Sequence, residues 1–194
     1  QMITHIKGRL IEKNPAFVVI DCQGVGYLLR ISLHTFSQIG EEELCMLHTY
    51  LSVKEDSQTL FGFAEKEERQ LFKHLISVSG VGPNTAQMIL SSLSPHDAQQ
   101  AILSENVALL KSVKGIGGKT AQRIILDLKD KLTKQGISAD LSFVQHNTAR
   151  EEALSALTML GFSKNAIEKV IDKELQNAGT LEVEELVKRV LKKM

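Results

Sequence analysis

Of the 194 residues none is tryptophan, two are cysteine, only 5% are aromatic, and the formal charges cancel, 23 basic against 23 acidic. Each shortage excludes something. With no tryptophan and few other rings, the N-terminal part offers no platform for stacking the bases of a single strand. Cys22 and Cys45 lie far apart in apolar, strand-like stretches without a Cys-x-x-Cys spacing, so they read as reduced core residues, neither disulfide nor ligands. The six histidines are scattered without metal spacing. No apolar run approaches the roughly eighteen residues of a membrane span, and no basic stretch leads into an apolar one near the start. The expectation is a soluble, cytoplasmic protein with no membrane contact. No nucleophile motif and no paired acids in a helical pocket are present, so no catalytic residue, metal site or cofactor is expected.

The cancelled charge argues at first against nucleic acid, but its distribution argues the other way. Residues 1–65 carry 5 basic and 8 acidic side chains, residues 66–135 carry 10 and 6, and residues 136–194 carry 8 and 9, so the middle segment stands at +4 between −3 and −1. Within it, Lys111, Lys114, Lys119, Arg123, Lys129, Lys131 and Lys134 face only Asp127 and Asp130 over residues 107–134. A run of lysines is commonly no more than a solvated helix face. Here it surrounds a repeat.

The stretch Ser77–Ile89 returns thirty-five positions later as Ser112–Ile124, with eight of thirteen positions identical. Both copies read apolar-x-Gly-apolar-Gly-x-x-Thr-Ala. A Gly-x-Gly turn opening a helix leaves unpaired amides at the positive end of the helix dipole, a place for phosphate. A single such turn is most simply a tight helix connection. Two copies, one among lysines, point to two phosphate contacts made by Gly80, Val81, Gly82, Asn84 and Thr85 and by Lys114, Gly115, Ile116, Gly117, Gly118, Lys119, Thr120 and Arg123. The Gly115–Lys119 turn is expected to carry the charge and the Gly80–Asn84 turn to rely mainly on backbone amides. Phosphate contacts carry no base information, so binding should ignore sequence. Gly118-Lys119-Thr120 looks like the end of a P-loop, but the glycine required at position 113 is Val113, which excludes that nucleotide site.

Around the repeat, β-branched and aromatic runs predict five strands near 3–11, 17–22, 25–31, 44–53 and 59–63. Five short strands close most readily into a small OB-fold-like barrel over residues 1–64. From Ala64 the period turns helical, with helices expected near 66–76, 84–92, 95–103, 106–112 and 119–133 in an all-helical domain over 65–134. Pro83 and Pro95 sit where first helical residues belong. Residues 135–147 read as a flexible linker. Thr148 and Glu151 form a capping box opening the first of three helices in a small domain over 148–194. The fold class is thus a multidomain α and β chain: barrel, helical repeat, three-helix bundle.

The repeat is similar to a tandem helix-hairpin-helix pair, and its setting resembles the RuvA family, DNA-binding subunits of the Holliday-junction branch-migration complex. The likeness rests on Gly24-Val25-Gly26-Tyr27, Lys54-Glu55-Asp56, Leu60-Phe61-Gly62-Phe63, the two glycine turns and Leu160-Gly161-Phe162. It implies a homotetramer, or a pair of tetramers, that holds four-way junction DNA open. It also implies partnership with the hexameric ATPase RuvB, docked on the C-terminal domain, and with the junction resolvase RuvC. Glu55 and Asp56, by charge alone only a solvated turn, become acids at the junction centre that repel phosphate. Leu160, Gly161 and Phe162 resemble the loop of ubiquitin-associated-like three-helix domains, which bind partners. Family members often carry a basic residue where this chain has Asn84 and another where it has Gly118, so a lower affinity and a shallower salt slope are expected. The competing readings are a helix-hairpin-helix DNA glycosylase or nuclease subunit, and a general duplex-DNA adaptor.

Overall fold

The computed structural model describes residues 2–40, 42–140, 145–178 and 181–193. The chain divides into two compact units, Gln1–Gly136 and Ile137–Met194.

In the first unit five strands close a barrel: β1 (His5–Asn14), β2 (Phe17–Cys22), β3 (Val25–Arg30), β4 (Leu44–Val53) and β5 (Gln58–Phe63), joined in the order β1-β2-β3-β5-β4. All neighbours are antiparallel except β3 and β5. Side chains alternate across each strand, so Ile6, Val18, Ile20, Leu29, Leu47 and Leu60 fill the interior while Leu28, Arg30 and Met46 point outward. Gly8 of β1 lies between Cys45 on one side and the Asp21–Cys22 end of β2 on the other. A Cβ there would come 2.2 Å from the Asp21 carbonyl oxygen, which is backbone and cannot yield. Gly8→Ala should therefore cost about 2 kcal/mol or more in urea unfolding; an unchanged midpoint would show that the strand relaxes freely.

Between β3 and β4 the chain makes a short helix, α1 (Leu33–Gln38), capped by the Ser32 hydroxyl accepting from the Thr35 amide. Six residues are too few to show a period, which is why the sequence reading passes over it.

Five helices follow: α2 (Lys66–Ile76), α3 (Pro83–Ser92), α4 (Pro95–Leu103), α5 (Val107–Ser112) and α6 (Gly118–Asp140). Pro83 and Pro95 open their helices as expected, and Ser94 and Asn106 cap α4 and α5 through their side chains. The helical core takes in Phe61 and Phe63 of the barrel strand β5. Phe72 of α2 packs its ring 5.2 Å from Phe61, 4.9 Å from Phe63 and 5.3 Å from Tyr50, all three from the barrel.

The helix α6 runs to Asp140, beyond the end expected near 133, because no proline stops it and one glycine, Gly136, costs a helix only about 1 kcal/mol. Of the expected linker 135–147, residues 135–140 are thus helical and 145–147 open α7 (Gln145–Met159); residues 141–144 lie outside the described residues. In the second unit α7, α8 (Lys164–Ala178) and α9 (Val183–Leu191) surround Ala153, Leu157, Ile167, Ile171, Leu186 and Val190.

Candidate nucleic-acid interface

The two copies of the repeat fold into two matching turns, one between α2 and α3 and one between α5 and α6. In the first, the Val81 amide bonds the Val78 carbonyl at 3.0 Å and the Ala86 amide bonds Gly82 at 2.9 Å. In the second, Ile116 bonds Val113 at 3.1 Å and Ala121 bonds Gly117 at 2.9 Å. Gly80 and Gly115 both have φ +89, a left-handed conformation that costs a side-chain-bearing residue. The apolar residue between the glycines is the anchor. Val81 and Ile116 are buried, and their amides are spent inside the turn, so neither can offer an N–H to a ligand. This corrects their expected place among the phosphate donors.

The second glycine of each pair has a different reason to be there. Gly82 is the N-cap of α3 at φ −85, which any residue can adopt, and it makes no side-chain cap bond. A Cβ built at Gly82 or Gly117 meets nothing within 4 Å. The protein itself therefore has room for a side chain; what its absence leaves open is the approach to the helix amides. The amides of Asn84 and Thr85, and by equivalence those of Lys119 and Thr120, lie in the first helical turn, where no intrahelical acceptor exists. Each turn thus presents backbone donors at a positive helix end.

Charge is distributed differently from the sequence expectation. Arg123 belongs to α6 yet reaches the other turn, its guanidinium donating to the Ser79 carbonyl at 3.2 Å. Lys131 approaches the Ser77 hydroxyl at 3.5 Å. From the barrel, Arg30 on β3 donates to the Asn84 side chain at 3.3 Å. The Gly80–Asn84 turn is therefore served by Arg123 and Arg30 as well as by its own amides. Lys114 and Lys119 remain exposed at the second turn, whereas Lys129 is held by Glu105, which keeps that carboxyl below its ordinary range.

Arg30 and Lys54 line a polar groove of about 450 Å³ with Ser52, Thr59, Gly82 and Asn84, where the base of the β4–β5 hairpin meets the first turn. The hairpin is closed by the Lys54 amide bonding the Ser57 carbonyl at 2.8 Å, and Glu55 and Asp56 stand exposed at its tip. Sequence reading missed Arg30 and Lys54 as candidates. Lys54 was visible only as a neighbour of the acids; Arg30, fifty-four positions from Asn84, gave no signal.

In the second unit the Leu160-Gly161-Phe162 segment separates into two roles. Gly161 has φ +95 and donates to Thr158, and the Phe162 amide returns to Leu157 at 3.2 Å, closing the helix end. Phe162 is half-buried against the core, while Leu160 is 61% exposed and Met159 beside it 87%. The outward apolar surface is thus Met159 and Leu160.

Among the described residues no group of three or more His, Cys, Asp or Glu could hold a metal ion, and no helix is long and apolar enough to cross a membrane. Burial pushes the Cys45 thiol up, and Cys22 donates to the Lys7 carbonyl at 3.3 Å.

A closed barrel set against two matched helix-hairpin-helix turns, each with backbone amides at a helix start and basic side chains close by, defines a protein of the nucleic-acid-binding class. Family models agree along the chain: the RuvA N terminal domain matches residues 2–62, the SAM-like helix-hairpin-helix tandem residues 72–130, and the RuvA C-terminal domain residues 148–194. A protein of Christiangramia forsetii named Holliday junction branch migration complex subunit RuvA is 55% identical, with all of both chains covered. Proteins of the same name from Flavobacterium psychrophilum and Bacteroides thetaiotaomicron are 49% and 47% identical, again with both chains fully covered. The chain belongs to the RuvA family.

Proposed function

We propose that this chain binds four-way junction DNA irrespective of base sequence, gripping phosphates on the two strands of a duplex arm across the minor groove, and that it recruits the RuvB ATPase to drive branch migration. The observation carrying the DNA reading is the pair of open glycines: Gly82 and Gly117 leave helix amides uncovered where the protein itself has space for a side chain. The role is to bind and present DNA, with ATP hydrolysis on the partner. It would be carried out in the cytoplasm, where bacterial DNA lies.

Junction selectivity needs more than the two turns, because each would hold plain duplex equally well. We assign it to a homotetramer, alone or paired, that brings four copies of Glu55 and Asp56 to the crossover, where like charge drives the strands apart. Exposed Leu28, Leu33 and Met88, which border a cleft of about 670 Å³ between the barrel and α3, are apolar surface suited to such an assembly. RuvC is taken as a further partner on the open junction.

A competition gel shift between a synthetic four-way junction and linear duplex of equal length tests the reading; equal affinity would support the general duplex adaptor instead. Glu55→Gln with Asp56→Asn should tighten duplex binding by about threefold and cut the junction preference by about tenfold, since removing like charge near phosphate helps every duplex. An unchanged ratio of the two affinities would remove the acids from the mechanism.

A further inference from the structure

Glu68 on α2 is fully buried, among the few charged side chains so placed, and the phosphate-gripping surface does not use it. Its two carboxyl oxygens each accept a hydroxyl from the opposite side of the joint between barrel and helices: Ser32 at 2.5 Å and Thr35 at 2.5 Å. Those hydroxyls are already committed as acceptors, Ser32 from the Thr35 amide and Thr35 from the Ala64 amide at 3.1 Å. Each gives its single hydrogen to Glu68, whose two oxygens both accept. A third bond runs from the Leu33 amide to the Ser91 hydroxyl of α3 at 3.2 Å. The short helix α1 is thus a strut held to α2 by Glu68 and to α3 by Ser91, and it follows directly on β3, which carries Arg30.

We infer that Glu68 is a positioning residue for DNA binding: through α1 it fixes the angle between barrel and helical repeat, so that Arg30 and Lys54 stand across the groove from the Gly82–Thr85 amides. The inference rests on the DNA reading above. The apolar contact around Phe72 holds the two parts together but is non-directional; it sets closeness and leaves rotation to be fixed by directional bonds. A rotation of a few degrees at the joint moves Arg30 and Lys54 off the phosphate path while leaving the fold intact.

Burial pushes the Glu68 carboxyl above its ordinary range; the Ser32 and Thr35 hydroxyls and His34 of α1 pull it down, and Glu65 at the start of α2 pushes it up. With its folded value raised, Glu68 adds stability below the ordinary carboxylate range and loses it as pH rises through the folded value. Positioning runs the opposite way, because protonating a carboxyl oxygen takes away one of the two acceptors to which Ser32 and Thr35 donate.

Glu68→Gln and, separately, Thr35→Val in the full-length protein test this, with junction affinity measured across salt and pH beside thermal unfolding. The expected result for each is an affinity about tenfold weaker and a log–log salt slope shallower by about 1.8, the share of two cations at about 0.9 each, with no fall in thermal midpoint at neutral pH for Glu68→Gln. The unsubstituted protein should lose affinity as Glu68 protonates, and Glu68→Gln should be flat there. Unsubstituted affinity and slope in both variants would overturn the inference, as would weaker binding that tracks a lowered midpoint at constant slope. Salt-insensitive binding by the unsubstituted protein would instead sink the DNA reading, and this inference with it.

Discussion

Valine at both Gly82 and Gly117 should abolish junction binding at physiological salt while leaving the protein folded. Gly82 has an extended conformation, its following Pro83 already restricts it to that region, and no protein atom lies within 4 Å of the added Cβ at either position. The new side chains would cover the approach to the first-turn amides. Hydrogen bonds to a charged group contribute about 1.5–3 kcal/mol each, so losing one such contact per turn weakens binding by about 100-fold or more. Gel shift and thermal unfolding on the same preparation decide it: unchanged affinity would mean that the amides do not meet phosphate. Gly80 and Gly115 are unsuitable for this test, because at φ +89 any substitution strains the turn itself.

The second large effect is expected at the other end of the chain. Truncation after Gly136, the boundary between the compact units, should eliminate stimulation of the RuvB ATPase and leave junction binding within about twofold, since both turns, the groove and the acidic hairpin lie in the retained unit. Met159→Asp with Leu160→Asp should reproduce most of the loss in the full chain: both side chains are exposed, so the charges disturb a docking surface and spare the bundle core. Normal stimulation by the double variant, with loss only on truncation, would move the docking surface elsewhere in the bundle. Loss of junction binding on truncation would contradict the division of labour.

Much of this arrangement was legible in the residues because its signals are local. The barrel strands followed the alternation of apolar residues, and the helices opened at Pro83 and Pro95, where a missing amide costs nothing. The duplicated turn was visible because the same left-handed backbone calls for glycine at Gly80 and again at Gly115. What could not be read depends on long-range encounter. Arg123 appeared to charge its own turn, yet it spans the pseudo-symmetric pair to Ser79, and Arg30 meets Asn84 only because the barrel closes. The helix α1 has too few residues for a period, and the buried partnership of Glu68 with Ser32 and Thr35 joins segments more than thirty positions apart. Val81 and Ile116 were misplaced among the phosphate donors because identity in a repeat shows that a residue matters without showing which way it faces.

The Phe72 ring, wedged among Tyr50, Phe61 and Phe63, has a consequence for how such a sequence can change over time. Each of the three barrel residues is a wall of the site that receives a helical side chain, so a change of volume at any of them must be answered in α2. Barrel and helix repeat cannot drift independently, and neither can be exchanged for the corresponding part of a distant relative without the other. The second unit packs around a core of its own, Ala153, Leu157, Ile167, Ile171, Leu186 and Val190, so a change of volume there is answered within its own three helices.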